Sequence, residues 1–213
     1  ELMFFSILSE ASKICEKIIV EYSQPNTHKA MHVGHLRCLV LGDAVCNLLE
    51  YVGHTVVRAT YPGDIGTHVA KIIWYLTHPE PKTLPKENRP AWLGRMYAEG
   101  DSALKALKGT ADEPQAKEAI STILKQISQE NGPYYELWRE TRQWSLDYLK
   151  SVYSWLGSHF DIWYFESECE KPSKELVKKK YEEGFFTKDN GAIGIDLSAY
   201  KLGFAMFLKS DGN

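Results

Sequence analysis

Apolar residues fall at helical spacing over one early stretch of the chain. Leu36, Leu39, Val40, Ala44, Leu48, Leu49 and Val52 recur three and four positions apart between His35 and Val52. That period predicts a helix, and Gly53 stands where a C-terminal capping glycine belongs. Ahead of it, the β-branched and aromatic run from Ile18 to Tyr22 predicts a buried strand, and Thr55 to Thr60 behind it predicts another. A strand, a helix and a strand in that order make a right-handed unit with parallel strands, the first half of a nucleotide-binding sheet.

The pattern then changes. After the loop "YPGDIGTH" a short helix is expected from Val69 to Leu76, and the stretch from Thr77 to Pro90, with Pro79, Pro81, Pro85 and Pro90, reads as an extended connection. Helical periods return over Trp92–Leu107, over Pro114–Gln129 and most strongly from Pro133 to Gly157, through Leu137, Trp138, Thr141, Ser145, Tyr148, Leu149, Val152 and Leu156. A basic helix over Ser173–Glu183 follows, then strands around "FFTKDNGAIGIDL", where Asn190-Gly191 is a hairpin signal. The expected fold is α/β, a Rossmann-like parallel sheet with a largely helical insertion. Residues 1–76 form the first half of the nucleotide-binding domain, and residues 77–213 form the insertion and a connective α+β hairpin region.

Composition narrows this only a little. A chain of 213 residues with 44% hydrophobic content has material for one sizeable core or two modest ones, and a net charge of −3 does not describe a surface dominated by nucleic-acid binding. Cys15, Cys38, Cys46 and Cys169 form no CxxC pair, so they read as reduced core residues of a cytosolic protein. No apolar run reaches membrane-span length, and no signal peptide opens the chain. Glu1 in place of methionine, and a strand from Gly203 to Lys209 that runs into a turn at Ser210, Asp211, Gly212 and Asn213 with no returning strand, lead us to expect a piece of a longer protein.

The chemistry concentrates at "HKAMHVGH", where His32 and His35 open the first helix. Zinc is a poor fit, because the HExxH pattern is absent and no cysteine or carboxylate stands beside them at ligand spacing. A helix start directly after a parallel strand instead favours anions, through its unpaired N–H groups and dipole. Gly34 has no Cβ, so a base or ribose can come close. His32 and His35 can donate to phosphate oxygens, and Lys29 adds a positive charge. Together these suggest a triphosphate site without a Walker loop. Two histidines that merely cap the helix remain the plain alternative.

The whole frame "VEYSQPNTHKAMHVGHLR...GD" resembles the arginyl-tRNA synthetases among the class I aminoacyl-tRNA synthetases, whose signature tetrapeptide "HVGH" matches. The segment from Val20 to Asn26 resembles that family's Val-Glu-Tyr-Ser-Ser-Pro-Asn stretch, and "YPGDIGTH" looks like its Gly-Asp-Trp-Gly loop. Gln24 replaces a common serine, and Ile65 and His68 depart from the loop pattern, so no catalytic role is carried onto that loop. The resemblance implies an arginine–tRNA ligase that joins arginine to ATP, releases pyrophosphate and charges tRNA(Arg), generally with tRNA needed even for activation. It assigns His32, His35 and Lys29 to catalysis, and Lys29, His32, Gly34 and His35 to ATP. It assigns Glu21, Gln24 (through its backbone) and Asn26 to arginine. Magnesium arrives on the nucleotide, with no metal site of the protein's own, and the location implied is cytoplasmic. Taken alone, Glu21 is a solvated strand-end charge and Asn26 a turn residue.

Three further readings complete the picture. Asp64 serves equally as a loop carboxylate near the site or as a Pro-Gly-Asp turn residue. Lys178 to Lys180 read as a solvated helix face, and Trp138, Trp144 and Trp155 as packing residues. The rival functions are an HxGH-type small adenylyltransferase, which would carry a Gly-x-Phe-Asp-Pro segment here, and a noncatalytic helical partner-binding domain. The chain alone is expected not to charge tRNA and, with half a sheet, to expose apolar surface and self-associate. Nothing in the pattern fixes an oligomeric state.

Overall fold

The computed structural model describes residues 15–210 and 212. Its first strand, β1 (Lys17–Glu21), leads by a loop into α1 (Val33–Tyr51) and back into β2 (Thr55–Thr60), and β1 pairs with β2 in parallel, Ile19 opposite Val57. Then come α2 (Thr67–Thr77), α3 (Arg89–Leu107), α4 (Glu113–Ser128) and α5 (Pro133–Leu156), before β3 (Ile162–Trp163) returns to lie parallel beside β2. The sheet order is β1-β2-β3, a Rossmann-like parallel arrangement interrupted by helices. Of the described residues, those up to Phe165 make one compact unit and those from Glu166 another. The second holds α6 (Glu166–Glu182) and an antiparallel sheet of β4 (Thr187–Asp189), β5 (Ala192–Asp196) and β6 (Phe204–Leu208). Its β4–β5 turn is Asn190-Gly191, both with positive φ (47° and 87°), the conformation that Asn-Gly favours in a tight hairpin. Of the expected terminal turn, Asp211 and Asn213 lie outside the described residues.

Within the first unit α5 joins three clusters of buried side chains. Its Leu146, Leu149 and Tyr153 pack with Tyr22, Leu39 and Cys46 against the sheet. Trp138 packs with Val69, Ile73 and Trp74 of α2 and with Ile123 and Ile127 of α4. Trp144 packs with Ile72, Leu76, Leu93 and Met96. One helix therefore ties the α2–α4 helices to the sheet and to α1, whose first turn carries HVGH.

Several expectations need correction. The strand read as buried lies at the sheet edge with alternate residues exposed, Ile19 at 60%, because among the described residues it pairs only with β2. On α1 the buried stripe is Leu39, Gly42 and Cys46, while Val40 (55%) and Leu48 (65%) face outward. Only Cys46 of the described cysteines is buried; Cys15 and Cys38 are exposed and Cys169 is intermediate. Cys38 precedes Leu39 by one residue, about 100° around the helix, which turns it off the packed face. Trp155 is 81% exposed for the same reason, two positions beyond Tyr153, the last buried residue of α5. Trp138 and Trp144 pack as expected. Lys179 and Lys180 pair with Glu183 on their own helical turn, which fits a solvated face.

Gly42 allows α1 to sit on Tyr22. A Cβ there would overlap the Cβ, Cγ and Cδ2 atoms of Tyr22. The ring has little freedom to yield, since its hydroxyl donates to Asp43 at 2.5 Å and its face meets Phe160 at a centroid distance of 4.6 Å. Gly42→Ala is expected to cost about 1–3 kcal/mol by overpacking. Urea unfolding of the pure variant measures this; a loss below about 0.5 kcal/mol would show that the helix shifts freely.

Candidate active site

The loop between β1 and α1 takes a path few residues adopt. Ser23, Gln24 and His28 all have positive φ (73°, 42° and 60°), so their conformations need support from elsewhere. Support comes from hydrogen bonds. The Tyr22 amide donates to Ala59 O at 3.0 Å and the Thr27 amide to Gly63 O at 2.9 Å, which ties the loop to β2 and to the loop after it. Ser23 shares a 2.9 Å hydroxyl contact with Tyr153 of α5.

His32 is the N-cap of α1, with extended backbone. Its Nδ1 accepts the Gly34 N–H at 3.1 Å, and His35 Nδ1 accepts the His32 N–H at 3.4 Å, a capping box built from two histidines. The rings stack at 3.8 Å, 16° from parallel. With Nδ1 of each ring occupied as an acceptor, the proton of each neutral ring resides on Nε2. The pair thus presents two N–H donors at the positive end of a helix dipole. Burial, with His32 and Lys29 nearby, holds His35 below the usual histidine range. Gly34 has a local reason as well: a Cβ there would come within 3.0 Å of the His32 ring.

Lys29 Nζ lies 5.5 Å from the ring centroid of Tyr97 on α3. Lys29 and Asn26 both line a small recess with Pro90, Leu93, Ser145, Tyr148 and Leu149. At the sheet edge Gln24 Nε2 donates to Glu21 Oε1 at 2.6 Å. Gln24, expected to act through its backbone, engages the Glu21 carboxylate with its side chain.

The YPGD loop turns out to be built around a buried charge. Asp64 is fully buried, its Oδ2 accepts from Arg142 Nε at 2.6 Å, and its carbonyl accepts from Trp138 Nε1 at 2.7 Å. Its role beside the site is to hold this loop on α5. His68, at the departing position of the same loop, lies 3.4 Å from Gly63 O, and burial pushes its pKa down.

Sequence reasoning did not single out His28, Tyr97 or Arg142, and it placed Thr141 and Ser145 only in the helical period of α5. The signal for these two was present, since Thr141 and Ser145 are hydroxyl residues one turn apart inside an otherwise apolar stripe.

The family described as "tRNA synthetases class I (R), catalytic domain" matches residues 5–213. Among curated relatives, the arginine–tRNA ligase of Bdellovibrio bacteriovorus is 49% identical over 196 residues, covering 92% of this chain and 34% of that protein. The Treponema denticola arginine–tRNA ligase is 32% identical over 201 residues, covering 92% of the chain and 33% of that protein. The chain thus spans about a third of the length of these relatives. Of solved structures, the Thermus thermophilus arginyl-tRNA synthetase superimposes with a TM-score of 0.69 at 24% identity, over 98% of this chain and 36% of that one. The Plasmodium falciparum arginyl-tRNA synthetase gives 0.68 at 23%, over 95% and 33%. At these identities the structures speak to the fold alone.

Proposed function

The chain belongs to the family of class I (R) tRNA synthetase catalytic domains, and from that premise we propose that its parent protein activates arginine with ATP and transfers the arginyl group to tRNA(Arg) in the cytoplasm. Residues 1–76 supply the nucleotide-binding half of the site, and residues 77–213 the helical insertion and hairpin region. The observation that carries the reading is the stacked His32–His35 pair at the start of α1, with Nδ1 of each ring taken up by a backbone amide.

Activation is an in-line attack of the arginine carboxylate on the α-phosphorus of ATP, with pyrophosphate leaving. Such a step needs alignment and charge stabilisation more than a strong base. The Nε2–H groups of His32 and His35 donate to phosphate oxygens as their charge grows, and the Lys29 ammonium adds a positive charge beside them. Gly34, without a Cβ, lets the nucleotide approach the start of α1, whose dipole favours its negative charge. Magnesium is carried in on the nucleotide's own phosphates. No described helix is long and apolar enough to cross a membrane.

Arginine is held by Glu21 and Asn26, with Gln24 setting the direction of the Glu21 carboxylate. Glu21→Gln in the intact protein is expected to raise the KM for arginine at least about 10-fold, because a neutral amide forfeits a charge-assisted hydrogen bond. The KM for ATP should hardly change. Steady-state kinetics with each substrate varied separately checks this; equal rises in both constants would remove Glu21 from the arginine pocket.

A further inference from the structure

His28 is wholly buried in the middle of the loop that carries Asn26 and Lys29, and the proposed mechanism does not use it. Its surroundings are specific. Its amide donates to Ser145 Oγ at 2.9 Å, and its Nε2 lies 2.8 Å from Thr141 Oγ1, both on α5. The Thr141 hydroxyl sends its own hydrogen to Leu137 O at 2.7 Å, and the Ser145 hydroxyl sends its hydrogen to Thr141 O at 3.3 Å. Each has therefore used its single proton on its own helix and turns a lone pair toward His28. This places the imidazole hydrogen on Nε2, and Nδ1 accepts from the Thr27 hydroxyl at 2.9 Å in preference to that hydroxyl's longer 3.4 Å contact with Gly63 O. Two donors of His28, the amide and Nε2–H, meet two acceptors one helical turn apart on α5.

We propose that His28 is a positioning residue: by locking onto Thr141 and Ser145, it fixes where the neighbouring Asn26 and Lys29 present their side chains to substrate. The inference rests on the reading of those two residues as substrate contacts. The backbone supplies the reason for a lock. His28 has φ of 60°, a left-handed conformation that is uncommon for a residue with a Cβ and is favoured by outside support. Asn26 precedes it by two residues and Lys29 follows it directly, so a change of its backbone to an ordinary conformation redirects the chain on both sides. Burial pushes the His28 pKa down to about 3, so the ring stays neutral and the donor pattern holds over the physiological range. Gly63 O, which accepts the Thr27 amide at 2.9 Å, anchors the loop from its other side.

The test uses the intact protein and three variants. Thr141→Val keeps the volume and removes the acceptor; His28→Ala removes the ring; His28→Gln restores an N–H near the Nε2 position. Thr141→Val and His28→Ala are expected to lower kcat for arginyl-adenylate formation by up to about 10²-fold, the effect of misplacing reacting groups by about 1 Å. They should also raise the KM for arginine, and the double variant should be no worse than the poorer single one. His28→Gln should recover much of the loss. A purely structural role would lower the amount of active enzyme and leave the KM unchanged. Folded Thr141→Val with wild-type kcat and KM, or independent losses that multiply in the double variant, would overturn the proposal. If the wild-type protein forms no arginyl adenylate, the functional reading fails, and amide exchange decides the positioning claim separately. Faster exchange at the Thr27 and His28 amides in Thr141→Val supports the lock, and unchanged exchange refutes it.

Discussion

Replacing Lys29 or His32 with alanine in the intact protein is expected to slow arginyl-adenylate formation by at least about 10²-fold, the usual loss when a group that stabilises transition-state charge is removed. Affinity for arginine should change little. His32 is the more informative site, because its ring does two jobs. Nδ1 caps α1 by accepting the Gly34 amide at 3.1 Å, and the face of the ring stacks on His35 at 3.8 Å. His32→Asn preserves a capping side chain, since asparagine is among the best N-caps. It lacks the outward Nε2–H. The variant should therefore keep its stability and still lose the rate, which separates capping from catalysis. Single-turnover formation of the adenylate reads the rate directly. Unchanged rates in Lys29→Ala and His32→Ala would take both residues out of the mechanism.

The largest expected loss of stability lies at Arg142. Its Nε bonds the carboxylate of Asp64 at 2.6 Å, with side-chain exposures of 18% and 0%. The guanidinium is also stacked against Phe165, its carbon 4.1 Å from the ring centroid. Removing Arg142 takes its charge-assisted bond away from the buried Asp64 carboxylate, a loss of about 3–5 kcal/mol. Arg142→Met keeps most of the packing volume, so the expected loss reports the charge and not a cavity. Urea denaturation followed by tryptophan fluorescence is suited to it, since Trp138 donates to Asp64 O at 2.7 Å and senses the same loop. A loss under about 1 kcal/mol would mean that the pair is solvated in solution like an ordinary surface ion pair.

What the sequence revealed and what it hid follow a physical divide. The β1-α1-β2 unit was legible because its signals are local: the period of the apolar residues, the β-branched runs and Gly53 past the helix end. The β4–β5 hairpin was legible from Asn190-Gly191 for the same reason. β3 was not, because Ile162 and Trp163 become a strand only through pairing with Ala59 and Thr60, far away in the chain. The period of α1 located the helix but not its buried face, which is lined by a glycine and a cysteine as well as Leu39. At the site, the position of His32 and His35 was readable from the motif. Their tautomers depend on backbone amides in three dimensions. Asp64 was ambiguous between a site carboxylate and a turn residue, since its partner Arg142 lies 78 positions onward. His28 was silent for the same reason, its partners on α5 being more than a hundred residues away.

The central claim is that the stacked histidines and Lys29 serve arginine activation. Its most direct test is pyrophosphate exchange into ATP by the intact protein, with magnesium and tRNA(Arg) present and each amino acid supplied in turn. The account predicts exchange with arginine and not with lysine or the other amino acids, lost in His32→Ala. No exchange with arginine, or exchange undiminished in His32→Ala, would contradict it.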